Sequence, residues 1–250
     1  MTEPLFAQRW EPREPSGEAT PIVLFHDSLG CVELWRDFPA ALAAATGQPV
    51  VAYDRLGFGR SPAHPGPPDL DFIAGEARSG FPALCDQLGI EAFIGFGHSV
   101  GGGMALHCAA QHPDRCVAVV TEAAQAFVED RTTAGIREAK AGFLAPGGLA
   151  RLERYHGDKA RWVLDAWTET WLSAAFADWS LDAVLPEVRC PVLALHGELD
   201  EYGSTAHPER IAALAGGPAS AEILAGAHHV PHRERQDEVL TLTRRFLASC

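Results

Sequence analysis

Long apolar runs, paired cysteines and positive charge are what this 250-residue chain has least of. No stretch approaches the roughly 18 consecutive apolar residues of a membrane span. Met1 to Ser16 carries charge and proline where a secretory signal would carry an apolar core. These two absences set the expectation of a cytoplasmic protein with no membrane partner. The six cysteines, Cys31, Cys85, Cys108, Cys116, Cys190 and Cys250, are scattered with no C-x-x-C pair. That is free-thiol usage in a reducing compartment and suggests neither a disulfide framework nor a zinc site. His228, His229 and His232 lie close together, but no second cluster of ligating side chains stands at metal spacing, so no metal and no cofactor are expected. Lys and Arg number 20 against 33 Asp and Glu, a net charge of −13, which argues against nucleic acid or an anionic membrane surface as partner. The sequence carries no signature of an oligomeric state.

What is present is a core. With 47% hydrophobic residues, a chain of this length makes one large domain, burying roughly 70–75% of its unfolded surface without a covalent staple. The apolar residues fall into short continuous runs, as in strands covered on both faces. Residues 5–10 read as a first edge strand, broken by Pro12, Pro15 and Gly17. Further strands are expected at Pro21–His26, Pro49–Asp54, Ala92–Phe96, Arg115–Ala123, Pro191–His196 and Ala221–Leu224. Helical stretches lie between them: Trp35–Thr46 closed by Gly47, Asp69–Leu88 bent at Pro82, Ser99–His112, Pro208–Leu214 and Glu234–Ser249. Alternation of strand and helix predicts an α/β fold, a mostly parallel sheet with helices on both faces. From Ala124 to Leu185 the alternation stops, and this stretch holds four of the six tryptophans, Trp162, Trp167, Trp171 and Trp179. It reads as a helical cap (124–185) inserted into a core domain (1–123 and 186–250), lying over the carboxyl ends of the strands as a lid. Leu164, Trp167, Trp171 and Leu172 share one helical face. That face suits the insertion's own core as well as a substrate wall.

The residues with chemistry gather at the ends of these strands. Gly97-His98-Ser99-Val100-Gly101 places a serine on the turn between a strand and a helix. Such a turn strains the central backbone, so its neighbours must lack bulk, as Gly97, Gly101 and Gly102 do. It also pushes the hydroxyl into the open beside the free N–H groups of a helix start. A serine hydroxyl is a weak nucleophile until a base takes its proton and a carboxylate orients that base. Leu195-His196-Gly197-Glu198-Leu199-Asp200 sets acids after one strand, and Gly226-Ala227-His228-His229-Val230-Pro231-His232 sets histidines after the next. Asp200, Glu201 and Glu122 compete for the acid, and His228 and His229 for the base. His98 faces the wrong way to serve as base, and His26, His196 and His232 read as structural. Asp54 and Ser61 read as residues that hold the turns of their own loop.

With a loop of the family's H-G-x-x-G kind after the first long strand, D-x-x-G-x-G-x-S, G-x-S-x-G, G-x-x-D, and His229-Val-Pro-His232 in the place of the family's G-H-x-x-H, the chain resembles the α/β-hydrolase superfamily, in particular its small lidded esterases and enol-lactone hydrolases. The resemblance spans nearly the whole chain. It implies that Ser99 is the nucleophile, Asp200 the triad acid and His229 the base, because His229-Val-Pro-His232 fits the H-x-P-H form of the last motif. It implies further that the backbone N–H groups of Ser28 and Val100 form the oxyanion hole. The chain departs from the family at Asp27, where glycine is usual after the loop histidine. A carboxylate there opposes an oxyanion unless it is turned away and paired, so Asp27 is expected to be hydrogen-bonded within its loop, with Arg55 or Arg60 as partner.

The activity these readings favour is hydrolysis of a small carboxylic ester or lactone through an acyl-enzyme, with no cofactor. Trp167 and Trp171 would suit an apolar or aromatic substrate group, and Glu122 or Glu129 a cationic one. Two alternatives stand beside it. One is carbon–carbon bond hydrolysis of dienoic ring-fission products, whose anionic substrates call for a base in the pocket from among Arg137, Lys140 and Arg161. The other is a catalytically silent small-molecule-binding protein on the same fold.

Overall fold

The continuous apolar runs form a seven-stranded sheet in the computed structural model, which describes residues 3–13 and 19–250. The strands are β1 (Ala7–Trp10), β2 (Ile22–Phe25), β3 (Val50–Tyr53), β4 (Phe93–His98), β5 (Cys116–Glu122), β6 (Val192–Gly197) and β7 (Ala219–Leu224), in the order β1-β3-β2-β4-β5-β6-β7. Only β1 runs antiparallel. It is the expected edge strand; Pro15 and Gly17, expected to break it, lie outside the described residues.

Side chains alternate across the sheet, and both sets are buried. Val23, Phe25, Val51, Tyr53 and Phe93 face one layer, and Ile22, Leu24, Val50, Ala52, Ile94 and Phe96 face the other. The first layer holds α2 (Phe72–Arg78), α3 (Gly80–Leu88), α4 (Val100–Gln111) and α8 (Ala206–Leu214). The second holds α1 (Phe38–Thr46) and α10 (Gln236–Leu247). Burial of one such aliphatic or aromatic side chain contributes about 1.5–3 kcal/mol. This is why period-two strands with no polar face appear in the sequence as unbroken runs.

Two helices differ from expectation. The stretch 69–88 is not one helix bent at Pro82. It breaks at Ser79, where φ −135 and ψ −65 leave the helical region, into α2 and α3. Pro82 falls in the first turn of α3, where a missing N–H costs no helical hydrogen bond. The stretch from Trp35 begins as a separate 3-10 turn, Val32–Trp35, and α1 starts at Phe38 with Pro39 in its first turn and Gly47 as its left-handed cap.

Between β5 and β6 the sheet is interrupted by α5 (Asp130–Leu144), α6 (Ala150–His156) and α7 (Ala160–Trp171). Leu152, Ala160 and Leu164 form a small core for this insertion, packed on Leu29 of the sheet layer's loops and on Trp167. Among the described residues, no helix is long and apolar enough to cross a membrane.

Chain reversal puts the loops after β2 and β4 side by side. From β2 the chain moves to β3 on one flank, then returns past β2 to β4 on the other, with Phe25 paired to Gly97 at the carboxyl ends. Open α/β sheets bind ligands at such a switch point. The first turn of α4 lies so close to the end of β2 that a Cβ on Gly101 would stand 2.1 Å from the Phe25 carbonyl oxygen.

Helix propensity alone predicts that alanine improves any helical glycine by about 1 kcal/mol. Gly101→Ala is nevertheless expected to lower stability by about 2 kcal/mol or more, as an overpacked backbone contact does. Gly142→Ala, in α5 with open space around it, is expected to raise stability by about 0.5–1 kcal/mol. Urea midpoints of the two variants against the parent check the opposite signs.

Candidate active site

Ser99 lies between β4 and α4 at φ 55 and ψ −127, a region that a side-chain-bearing residue enters only under strain. Two backbone bonds hold it there: its N–H donates to the Glu122 carbonyl at 2.8 Å, and its carbonyl accepts from the Gly102 N–H at 2.9 Å. Bulk is excluded on both sides, since a Cβ on Gly97 would meet the Gly101 carbonyl oxygen at 2.2 Å. The hydroxyl emerges on the wall of a cavity of about 230 Å³, where it donates to Gln125 Oε1 at 3.4 Å. Gln125 is a buried side chain that sequence reasoning missed, because a glutamine three residues past a strand has no spacing signature.

Two loops bring an acid and an imidazole to the same place. The loop after β6 is tied to the loop after β7 by Leu199 N–H donating to the Ala227 carbonyl at 2.8 Å, and it runs so near that a Cβ on Gly197 would meet the His228 carbonyl at 2.1 Å. Asp200 is thereby buried against His229, whose Nδ1–H reaches Asp200 Oδ1 and Oδ2 at 2.9 and 2.8 Å. Asp200 also accepts from the Tyr202 N–H at 2.7 Å. Burial pushes the Asp200 pKa up, but the His229 charge and hydrogen bond, with His196 and the Tyr202 N–H, outweigh it and leave the pKa below the ordinary carboxylate value. Burial pushes the His229 pKa down, while the charge and hydrogen bond of Asp200, followed by Glu201 and Asp27, bring it above 6.5. His229 lines the Ser99 cavity. Among the described residues no hydrogen bond joins it to Ser99. Its neighbour His228 points outward and meets exposed Glu201 at 3.8 Å.

Three further histidines support this arrangement. His98 Nε2–H donates to the His229 carbonyl at 2.8 Å, and burial, then neighbouring His232, lowers the His98 pKa to about 4. His232 Nδ1 pairs with Glu122 Oε2 at 2.5 Å, and His196 Nε2 donates to the Gly203 carbonyl at 3.1 Å. Asp54 receives the Val32 and Arg60 N–H groups at 2.6 and 2.7 Å, and Ser61 Oγ donates to the Asp54 carbonyl at 2.6 Å. Asp54 and Ser61 thus hold their loop, as their motif suggested.

Ser28 lines the cavity, and Val100 is the first residue of α4. Among the described residues neither backbone N–H is spent on a hydrogen bond. Trp167 and Trp171 both reach the cavity wall, although Trp171 is also packed edge-on against Phe176 and Trp179. Trp162 is placed elsewhere, its Nε1–H donating to the Gly66 carbonyl at 2.8 Å.

Two expectations are corrected. Glu122 does not line the cavity: it is fully buried beneath Ser99, and its carboxylate belongs to the pair with His232. Asp27 is not paired through its carboxylate. Arg55 Nη2 donates to the Asp27 backbone carbonyl at 2.8 Å and its Nε reaches His26, while Arg60 approaches Glu33 at 3.9 Å. Both guanidinium groups are engaged elsewhere, and among the described residues no donor reaches the Asp27 side chain, which lines the cavity beside Ser28. Glu129 is likewise absent from the lining; it accepts from Ser204 and His207.

Residues 20–167 match the family described as alpha/beta hydrolase fold. The chain belongs to the alpha/beta hydrolase fold family. Within that family it is 35% identical over 100 residues to the 1-acylglycerol-3-phosphate O-acyltransferase ABHD5 of Homo sapiens, a match that covers 38% of this chain and 27% of that protein's length. It is 26% identical over 255 residues to a non-heme chloroperoxidase of Streptomyces lividans, covering 89% of this chain and 85% of the relative. The enol-lactonase from Burkholderia xenovorans LB400 superposes with a TM-score of 0.74 at 23% identity, covering 98% of this chain and 96% of that structure.

In this member of the alpha/beta hydrolase fold family the Glu122–His232 pair stands directly under the strained turn, and among the described residues Glu122 Oε1 has no hydrogen-bond partner. Burial raises the Glu122 pKa, but the charge and hydrogen bond of His232 hold it below the ordinary value. His232→Ala therefore strands a buried carboxylate, and a loss of about 3–5 kcal/mol is expected at pH 7. Glu122→Gln, which keeps an acceptor without the charge, is expected to cost less. Equilibrium unfolding in urea separates the two.

Proposed function

We propose that the protein is a serine hydrolase of small carboxylic esters or lactones, acting through an acyl-enzyme on Ser99. The observation that carries this reading is the Asp200–His229 hydrogen bond at 2.8 Å on the wall of the cavity into which Ser99 emerges. Trp167 and Trp171 supply an apolar wall for the substrate, and segment 124–185 serves as its lid.

The steps follow from the groups at hand. On substrate binding, the Ser99 hydroxyl turns from Gln125 to His229 Nε2. His229 takes the proton as Oγ bonds to the carbonyl carbon, and the oxyanion that forms accepts from the N–H groups of Ser28 and Val100. Asp200 keeps Nδ1 protonated and stabilises the imidazolium. Collapse breaks the bond to the alcohol, which leaves with the proton from His229. Water then repeats the sequence on the acyl-enzyme, freeing the acid and Ser99. No metal or cofactor enters these steps.

The carbon–carbon reading called for a cavity base. Arg137, Lys140 and Arg161 do not line the cavity; they meet Thr133, Glu169 and Asp165 respectively. A silent binding protein would leave Ser99 unreactive, and labelling by a fluorophosphonate probe distinguishes that case.

Ser99→Ala is expected to lower kcat on p-nitrophenyl butyrate by about 10⁴- to 10⁶-fold with the fold intact. Near-normal turnover by this variant ends the proposal. Because His229 must be neutral to accept a proton and its pKa lies above 6.5, kcat/KM is expected to climb with pH, reaching half its plateau above pH 6.5. Asp200→Asn removes the charge that raises this pKa. It is expected to move the acid limb to lower pH and to cut the plateau by something on the order of 10³- to 10⁴-fold. A limb unmoved by Asp200→Asn assigns the titration to another group.

A further inference from the structure

The cavity of Ser99 shares three wall residues, Asp27, Leu29 and Val230, with a second cavity of about 390 Å³. Ser99, Asp200 and His229 are not on the second lining. It gathers Arg36, Arg151 and Arg233 from three separate places: the turn before α1, the start of α6, and the short helix Pro231–Glu234 (α9). Among the described residues Asp27 is the one carboxylate on this lining, so three guanidinium charges face a single negative one in a chain of net charge −13.

None of the three arginines forms an ion pair among the described residues, although Arg9, Arg60, Arg78, Arg161, Arg189 and Arg210 all do. Arg151 lies over the Phe143 ring at 5.1 Å, and Arg233 gives one N–H to the Leu34 carbonyl. Each guanidinium carries five donors, so most stay free. Burial, and after it the like charge of Arg36, lowers the Arg233 pKa. Two like charges held close without a counter-charge repel, and an anion between them removes that cost.

The backbone adds an independent sign. Arg36 has φ 55 and ψ −122, nearly the conformation of Ser99, and only one further non-glycine residue, Ala123, has positive φ among the described residues. That is a conformation which a side-chain-bearing residue enters only under strain. No ion pair of Arg36 offsets it, and what the strained turn achieves is to set this side chain on the cavity wall.

We propose that this second cavity is a binding site for an oxyanion group, a carboxylate or phosphate, held by Arg36, Arg151 and Arg233 next to the Ser99 cavity. The planar guanidinium fork matches both groups in bidentate geometry. The aromatic rings of Trp35 and Phe143 give the same cavity an apolar part. Through the shared rim of Leu29 and Val230, an ester whose carbonyl is at Ser99 can extend an anionic tail to the arginines. A separate anion can fill the same site. The first source rests on the hydrolase reading above; the second does not.

The test has two arms, run at constant ionic strength on the parent protein and on an Arg36→Gln/Arg151→Gln double variant, with Arg151→Lys as the conservative control. Arg233 is left in place because it braces Leu34. In the first arm, kcat/KM is measured for the mono-p-nitrophenyl esters of adipate, suberate and sebacate against p-nitrophenyl hexanoate, octanoate and decanoate. The ratio of acid-ended to neutral ester is expected to fall about tenfold or more in the double variant at one length at least, and to survive Arg151→Lys in large part. In the second arm, inorganic phosphate is titrated calorimetrically into Ser99→Ala protein with and without the double substitution, and affinity is expected to weaken about tenfold. A response in the first arm alone assigns the site to a substrate tail, and one in the second alone to a free anion. If the double variant alters neither the ester ratio nor phosphate binding, or the parent binds no phosphate and shows no arginine-dependent ratio, the proposal is overturned. Loss of all Ser99-dependent ester cleavage removes the hydrolase reading instead, and the phosphate arm then decides the site by itself.

Discussion

The contact between the first turn of α4 and the end of β2 is the constraint on which the rest of the molecule depends. A helix start can lie on a strand's last carbonyl only where no Cβ intervenes, and Gly101 meets that condition at a separation that any side chain would close to 2.1 Å. The approach fixes how steeply the chain must turn at Ser99, and so places its backbone at φ 55. It also sets the N-terminal N–H of α4 beside the loop that carries Ser28. The strain of the turn and the nearness of two N–H groups that have no partner among the described residues are thus two results of one close contact.

Around that contact, burial and charge divide the polar groups into distinct environments. Under the turn, Glu122 and His232 form a buried pair that does not reach the cavity of Ser99. Above it, Asp200 and His229 form a second pair whose imidazole keeps one face on the cavity. His98, low in pKa and neutral near pH 7, separates the two pairs and carries the His229 backbone on its Nε2–H. The division matters because a charge placed in low dielectric without its partner costs several kcal/mol, so each carboxylate is committed to the histidine it faces. Asp27 is the exception, a carboxylate with no donor among the described residues, and it stands on the wall between the cavity of Ser99 and the cavity of the three arginines.

Where a motif is local, its residues could be read from the chain. The sheet strands, the serine turn with its small neighbours, and the order of acid and histidine after successive strands are of that kind, because the period of burial and the steric demand of a turn leave their mark on adjacent positions. Helix limits were less legible. Pro82 attracted the predicted bend although the actual break is at Ser79, since a proline in a first turn looks the same in sequence as one in mid-helix. Glu122 was misplaced for a related reason: the end of a parallel strand offers positions both above and below the sheet, and only the packed structure shows that this side chain points to His232.

The sequence by itself determined the alternation of strand and helix, the small residues around Ser99, and the chain order of the polar residues at the strand ends, all consequences of neighbours in the chain constraining one another. Tertiary structure alone decided that Glu122 turns to His232, that Gln125 receives the Ser99 hydroxyl, and that Arg36, Arg151 and Arg233 share one cavity. Those are contacts between segments 26 to nearly 200 residues apart. Their geometry depends on how layers pack, and no spacing along the chain encodes it.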